Sequence, residues 1–115
     1  MAQYGVSLNA ILQLSDQLKA VAKKDLRPGD WIFAKTLNST YQIRVLEDRL
    51  FEVSGGWFDR HKESSTQVRI LGCTWGSRVI KTDIVAACGM SIEFSNRLIT
   101  SMIEAIVVVP GCRTN

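Results

Sequence analysis

The single histidine, His61, sits within Asp59-Arg-His-Lys-Glu63, where Asp59 or Glu63 could orient its ring for general-base catalysis. The same pentapeptide also reads as a solvated loop, because a base needs a shaped, water-poor site that residue types alone do not supply. Cys73 and Cys88 add a thiol option with His61. That pairing works only if a positive neighbour or a helix N-terminus stabilises the thiolate. Cys73 instead precedes Thr74-Trp75 at a predicted strand end, and Cys88 follows two alanines. Both therefore look like small core residues. Cys112, near the end of the chain, is placed for adventitious oxidation.

One histidine and three scattered cysteines lack the paired spacing of a zinc site, so no metal or cofactor is expected. Gly72-Cys-Thr-Trp-Gly76-Ser77 has the wrong glycine spacing for a phosphate loop and no lysine after its second glycine. Asp30, Asp48 and Glu52 fall in separate contexts and suggest no carboxylate pair. Aromatic residues beside cations are more informative. Trp57-Phe58 leads into Arg60 and Lys62, and Trp75 precedes Arg78 and Lys81. Flat rings stack on bases or apolar ligands, while Arg and Lys hold phosphate or carboxylate groups. Trp57, Phe58, Trp75, Arg78 and Lys81 thus form a candidate site for a small anionic or aromatic ligand. The competing reading is that the rings plug one end of the fold or line an oligomer interface.

These residues need elements to position them. Leu8, Ile11, Leu14, Leu18 and Val21 recur at helical spacing, which predicts one amphipathic helix over 7–24, capped by Ser7 and ended at Pro28-Gly29. It would pack on its own core or serve as an oligomerising element. Beyond Gly29 the period changes to two. Strands are predicted over 31–37, 40–46, 50–53, 67–71, 78–81, 89–94, 98–100 and 102–109, with a polar loop over 57–66 and an irregular segment over 72–77. The run Ile106-Val-Val-Val109 predicts burial on both faces and a central place in the sheet. The result is a single domain over 1–115 that is mainly β (α+β). It is a small antiparallel β-barrel or strongly curled sheet with one N-terminal amphipathic helix and a flexible tail over 111–115.

The chain is long enough for one core without staples. Its formal net charge of +3 makes contact with an anionic partner possible without implying a dedicated nucleic-acid binder. An odd number of cysteines without a C-x-x-C pair argues for a reducing cytosol. The first residues lack the basic start of a signal peptide, and the run 105–109 is too short to cross a bilayer. A cytoplasmic location is the expectation.

The strings Lys35-Thr-Leu-Asn-Ser-Thr-Tyr41, Gly55-Gly-Trp-Phe58, Gly72-Cys-Thr-Trp-Gly-Ser77 and Gly89-Met-Ser-Ile-Glu-Phe94, with Thr100-Ser101, together resemble a family of small uncharacterised bacterial proteins. That family carries a Gly-Ser-Thr-Trp-Gly-Gly-Ser-like segment, then Gly-Met and a Thr-Ser. The chain departs from the pattern at Cys73 and Arg78. It is also similar to orphan genes of mobile gene cassettes. The resemblance implies no activity and no catalytic residue. The functional expectation is a non-enzymatic cytoplasmic binding or interaction module that forms a homo-oligomer. The alternatives are a small nucleic-acid-binding barrel and a thiol- or histidine-dependent enzyme.

Overall fold

Two adjacent runs obey strict period-two alternation and form the centre of the molecule. In the computed structural model, which describes residues 20–61, 65–75 and 79–111, these runs are β2 (Trp31–Thr36) and β3 (Thr40–Val45). Ile32, Ala34 and Thr36 point into the core from β2, and Tyr41, Ile43 and Val45 from β3. The antiparallel register places Ile32 opposite Ile43 and Ala34 opposite Tyr41, so each inward side chain meets another inward side chain. Asn38-Ser39 lies in the intervening turn, where the Thr36 hydroxyl donates to the Ser39 carbonyl at 2.9 Å.

Around this pair the chain builds a five-stranded antiparallel sheet in the order β10-β2-β3-β4-β5, with β4 Phe51–Gly55, β5 Thr66–Val68 and β10 Ile103–Val109. A three-stranded sheet has the order β7-β6-β9, with β6 Ile70–Trp75, β7 Val79–Lys81 and β9 Ser91–Phe94. A two-stranded ribbon pairs β1 (Ala20–Ala22) with β8 (Ile84–Ala87). One hydrophobic cluster joins all three, from Ile32, Ile43 and Val53 of the large sheet to Cys73, Ile92 and Phe94 of the small one and Val85 of the ribbon. The fold is mainly β, but among the described residues no sheet closes into a barrel.

Several elements differ from the sequence reading. Residues 7–19 of the predicted helix lie outside the described residues. Residues 20–22 are not helical. They form β1, because Val21 is buried while the chain pairs with β8 across Val21–Ala86. Lys23–Asp25 is a single 3-10 turn. Tertiary pairing has overridden the helical spacing here, as weak local propensity allows. The predicted strand over 67–71 is two strands in different sheets, broken at Arg69, and the second continues through Gly72 to Trp75. β8 lies where no strand was predicted. Around residues 98–100 there is only a bridge between Glu93 and Ile99.

The strand over 103–109 is an edge of its sheet rather than its centre. Both of its faces are nevertheless covered, Ile106 by the main core and Ala105 and Val107 beside Phe33 on the opposite face. The described residues contain no helix long and apolar enough to cross a membrane. Residues 112–115 of the predicted tail lie outside the described residues.

The join between β1 and β2 is held by a buried carboxylate. Asp30 is 3% exposed, and its two oxygens accept the backbone N–H groups of Arg27 at 3.0 Å and Gly111 at 2.9 Å. Its own carbonyl accepts the N–H of Val45 at 2.8 Å. Asp30→Ala strands two backbone donors, so the expected loss is about 3 kcal/mol, read as a fall in the urea midpoint. A variant as stable as the parent would show that the carboxylate holds nothing.

Candidate functional site

The aromatic half of the predicted site is divided between the core and the surface. Gly55 and Gly56, both at positive φ, end β4 and start a short helix, α1 (Gly56–Arg60). A Cβ at Gly55 would collide with the Thr40 carbonyl, so the bend depends on glycine there. The Asp59 carboxylate accepts the Gly55 N–H at 3.1 Å and closes the turn. This helix replaces the first part of the loop predicted over 57–66, residues 57–60. It drives Phe58 inward to 0% exposure, edge-on to Tyr41 and Phe94 at centroid distances of 6.2 and 5.5 Å. Phe58 is therefore a core residue and presents no ring to a ligand, so that part of the predicted site is corrected.

Trp57 is partly buried against the same cluster and stacks on His61 at 4.1 Å. His61 ends α1, with Nδ1 2.9 Å from the Trp57 carbonyl oxygen. Trp75 is 59% exposed at the far end of β6, where its indole N–H donates to the Gly89 carbonyl at 3.2 Å. Phe94, which touches Phe58, is the register partner of Ile70 at the other end of β6. Five residues of strand, about 16 Å, separate those two ends. Lys81 is exposed on β7 opposite Cys73, and Arg78 lies outside the described residues. Of the four described residues, the structure thus buries Phe58 and sets Trp75 at the strand end away from the Phe58 cluster, so they do not share one mouth.

The thiol option fares no better. Cys73 is 0% exposed and its Sγ donates to the Val85 carbonyl at 3.4 Å. Burial pushes its pKa up to about 11, against weaker opposing effects from an Ala87 backbone hydrogen bond and the Lys23 charge. It is a neutral thiol at physiological pH. Burial also raises Cys88. Among the described residues no hydrogen bond joins His61 to either cysteine, and no group of three His, Cys, Asp or Glu side chains could hold a metal ion.

A different place combines shape and charge. A half-open cleft of about 900 Å³ lies between the 3-10 turn after β1, the β3–β4 hairpin turn, the start of β6 and the β7–β8 turn. Its floor and walls include Leu26, Pro28, Phe51, Ile70 and Leu71, and its charged lining is Lys23, Lys24, Arg49, Arg69, Asp48 and Asp83. Four cations face two carboxylates there, an excess of two positive charges in a chain whose whole net charge is +3. Among the described residues the ion pairs are Lys35–Glu104 and Arg44–Glu52, and neither includes a cleft cation. Burial and then the Arg49 guanidinium lower the pKa of Lys23, while Asp83 and Cys73 work the other way. The cleft therefore holds cations close enough to repel one another.

Backbone contacts set this geometry. The Lys23 N–H donates to the Asp83 carbonyl at 2.9 Å, joining the first wall to the last. The Arg69 guanidinium donates to the Asp48 carbonyl at 2.8 Å, joining the β5–β6 junction to the hairpin turn. In that turn both Asp48 (φ 59) and Arg49 (φ 62) are left-handed, the arrangement of a type I′ hairpin. Lys23 and Lys24 fall at the end of the helix predicted over 7–24, and Arg49 between the strands predicted over 40–46 and 50–53. The signal that could have exposed the site is Asp48-Arg49 between two alternating strands, where such turns ordinarily carry Asn-Gly.

Compared with models of known protein families, with curated proteins and with solved structures, the chain finds no match in any of the three.

Two outcomes follow from these placements. Phe58→Ala is expected to lose about 3–5 kcal/mol of stability, and Trp75→Ala no more than about 1 kcal/mol, in parallel urea titrations. Equal losses would overturn the division of the aromatics. Iodoacetamide at neutral pH should modify Cys73 only after unfolding, as read by peptide mass mapping. The folded pKa of Cys73 lies above its ordinary value of 9.0, so the unfolded chain loses this proton first. Stability should therefore decline between about pH 9 and 11 by roughly 2 kcal/mol more than in Cys73→Ala, the extra decline ending above the folded pKa.

Proposed function

We propose that this protein is a non-enzymatic, cytoplasmic binding module that holds a small anionic ligand with an apolar part in the cleft beneath the β3–β4 turn. The observation that carries this reading is the cleft itself. Lys23, Lys24, Arg49 and Arg69, outside any ion pair among the described residues, stand beside Leu26, Phe51, Ile70 and Leu71. Its volume of about 900 Å³ is of the size that small-molecule sites occupy. Lys23, Lys24, Arg49 and Arg69 outnumber Asp48 and Asp83 along the cleft, and a bound anion relieves the repulsion left between them. The buried, neutral Cys73 and the exposed His61 on its tryptophan supply no nucleophile–base pair, which favours binding over catalysis.

A nucleic-acid strand fits less well. Its backbone needs a continuous cationic track with rings on which bases stack. Here Asp48 and Asp83 interrupt the cationic lining, and neither Trp57 nor Trp75 lines the cleft.

A fluorescent anion with an apolar ring system, 8-anilinonaphthalene-1-sulfonate, tests the reading. The folded protein is expected to bind one equivalent saturably, more weakly as salt rises. The double variant Lys23→Glu with Arg69→Glu, shown to be folded by circular dichroism, should bind at least about tenfold more weakly, a loss of about 1.4 kcal/mol. Saturable binding that ignores both substitutions, or no saturable binding, would remove the cleft as the site.

A further inference from the structure

Resting on the anion-binding reading, we infer that the cleft's ligand is a phosphorylated small molecule, its phosphate gripped by the Arg49 and Arg69 guanidinium groups and its apolar part against Leu26 and Leu71. The argument begins with backbone conformation. A non-glycine residue in the left-handed region is disfavoured by contact between its Cβ and the following carbonyl. Asp tolerates that region because its short side chain hydrogen-bonds locally, whereas Arg has no such compensation. Arg49 nevertheless occupies the second left-handed position of the turn, at φ 62, where glycine would be relaxed. Such conformations cluster at functional sites, and although Arg97 shares this one at φ 71 in another turn, only Arg49 of the two lines the cleft.

The second observation is the clamp from the junction between β5 and β6. Arg69 spends one N–H on the Asp48 carbonyl, immediately before Arg49 in the chain, at 2.8 Å. That bond fixes the guanidinium beside the turn and leaves its other donors uncommitted among the described residues. Two guanidinium groups at one turn, with Lys23 and Lys24 on the facing wall, present more donors and more charge than one carboxylate can use. A phosphate carries up to two negative charges and three acceptor oxygens, and planar guanidinium forks grip it through paired hydrogen bonds. Lys23 is crowded by Arg49, a repulsion that a multiply charged anion offsets better than a singly charged one.

The test uses pyrophosphate as the probe and citrate as a carboxylate of comparable charge, titrated calorimetrically at constant ionic strength. Pyrophosphate is expected to bind the parent protein at least tenfold more tightly than citrate. Arg49→Gly should lose tenfold or more in pyrophosphate affinity while its Tm stays equal to or above that of the parent, because glycine relaxes the turn. Arg49→Lys, which keeps the charge but not the fork, should fall between the two. Citrate binding as tightly as pyrophosphate would overturn the phosphate assignment and leave an anion cleft standing. The same holds if pyrophosphate fails to bind while the anilinonaphthalene sulfonate still does. Undiminished pyrophosphate binding by Arg49→Gly would overturn the role of Arg49. If no anion of either kind binds, the underlying reading of the cleft falls as well.

Discussion

A carboxylate in a protein interior is stable only where hydrogen bonds replace the water it has lost, and Asp30 obtains them from two distant stretches of backbone. The amide of Arg27 lies in the connector that leaves the small ribbon, and that of Gly111 lies just beyond the last strand of the large sheet. Asp30 also accepts Val45 through its carbonyl, at the end of β3. One residue therefore fixes where the connector enters the five-stranded sheet, where β10 leaves it and where the β3–β4 hairpin begins to turn. The cleft lies between the connector and that hairpin, so its width is set by this junction. The price of burying a charge is met by geometry that leaves the connector little freedom.

The cleft inherits two unfavourable features from this arrangement. Lys23 approaches Arg49, so like charges meet in a partly desolvated space, and Arg49 holds a backbone conformation that suits glycine. Neither helps the fold. Arg97 is also left-handed, at φ 71 and away from the cleft, so it is the coincidence of this backbone with the cleft's other cations that sets Arg49 apart. Arg69 adds a third sign of organisation, since its contact with the Asp48 carbonyl ties the strained turn to the point where the chain passes from the five-stranded sheet to the three-stranded one. Local rules are broken here while they hold through β2 and β3, and such a contrast is expected where a surface serves binding rather than stability.

How much of this was legible in the sequence depended on how local the cause was. Tyr41, Ile43 and Val45 alternate with Gln42 and Arg44, and that pattern fixes both the strand and its buried face. Val21 has helical spacing from the residues before it, yet a strand partner near Ala86 decides its conformation, and nothing at residue 21 announces that partner. Trp57 and Phe58 are neighbours that read alike, but a helix of five residues sends Phe58 into the core and leaves Trp57 partly exposed on His61. The cationic cleft was the least legible feature. Its charges come from residues 23–24, 49 and 69, which belong to three segments brought together only by sheet order. The two-sided burial of Ile106 and Val107 was read correctly from their run, but the inferred central strand was not, because other parts of the chain cover an edge strand equally well.

The relation between Lys23 and Cys73 bears on what kind of chemistry the cleft can support. The Lys23 charge favours the Cys73 thiolate, so a cation of the cleft acts on the only fully buried thiol among the described residues. If that attraction exceeded the cost of desolvation, the cleft would border a thiolate and could act as a nucleophilic site. The balance runs the other way. Burial dominates, the pKa rises to about 11, and the sulfur donates its proton to the Val85 carbonyl instead of facing the cations. The positive charge of the cleft is therefore offset only in part, by Asp48 and Asp83 and not by a thiolate, and its excess remains directed at whatever enters from solvent. With no activated nucleophile among these groups, what remains is electrostatic attraction, guanidinium hydrogen bonding and an apolar wall, which are the means of holding a charged ligand.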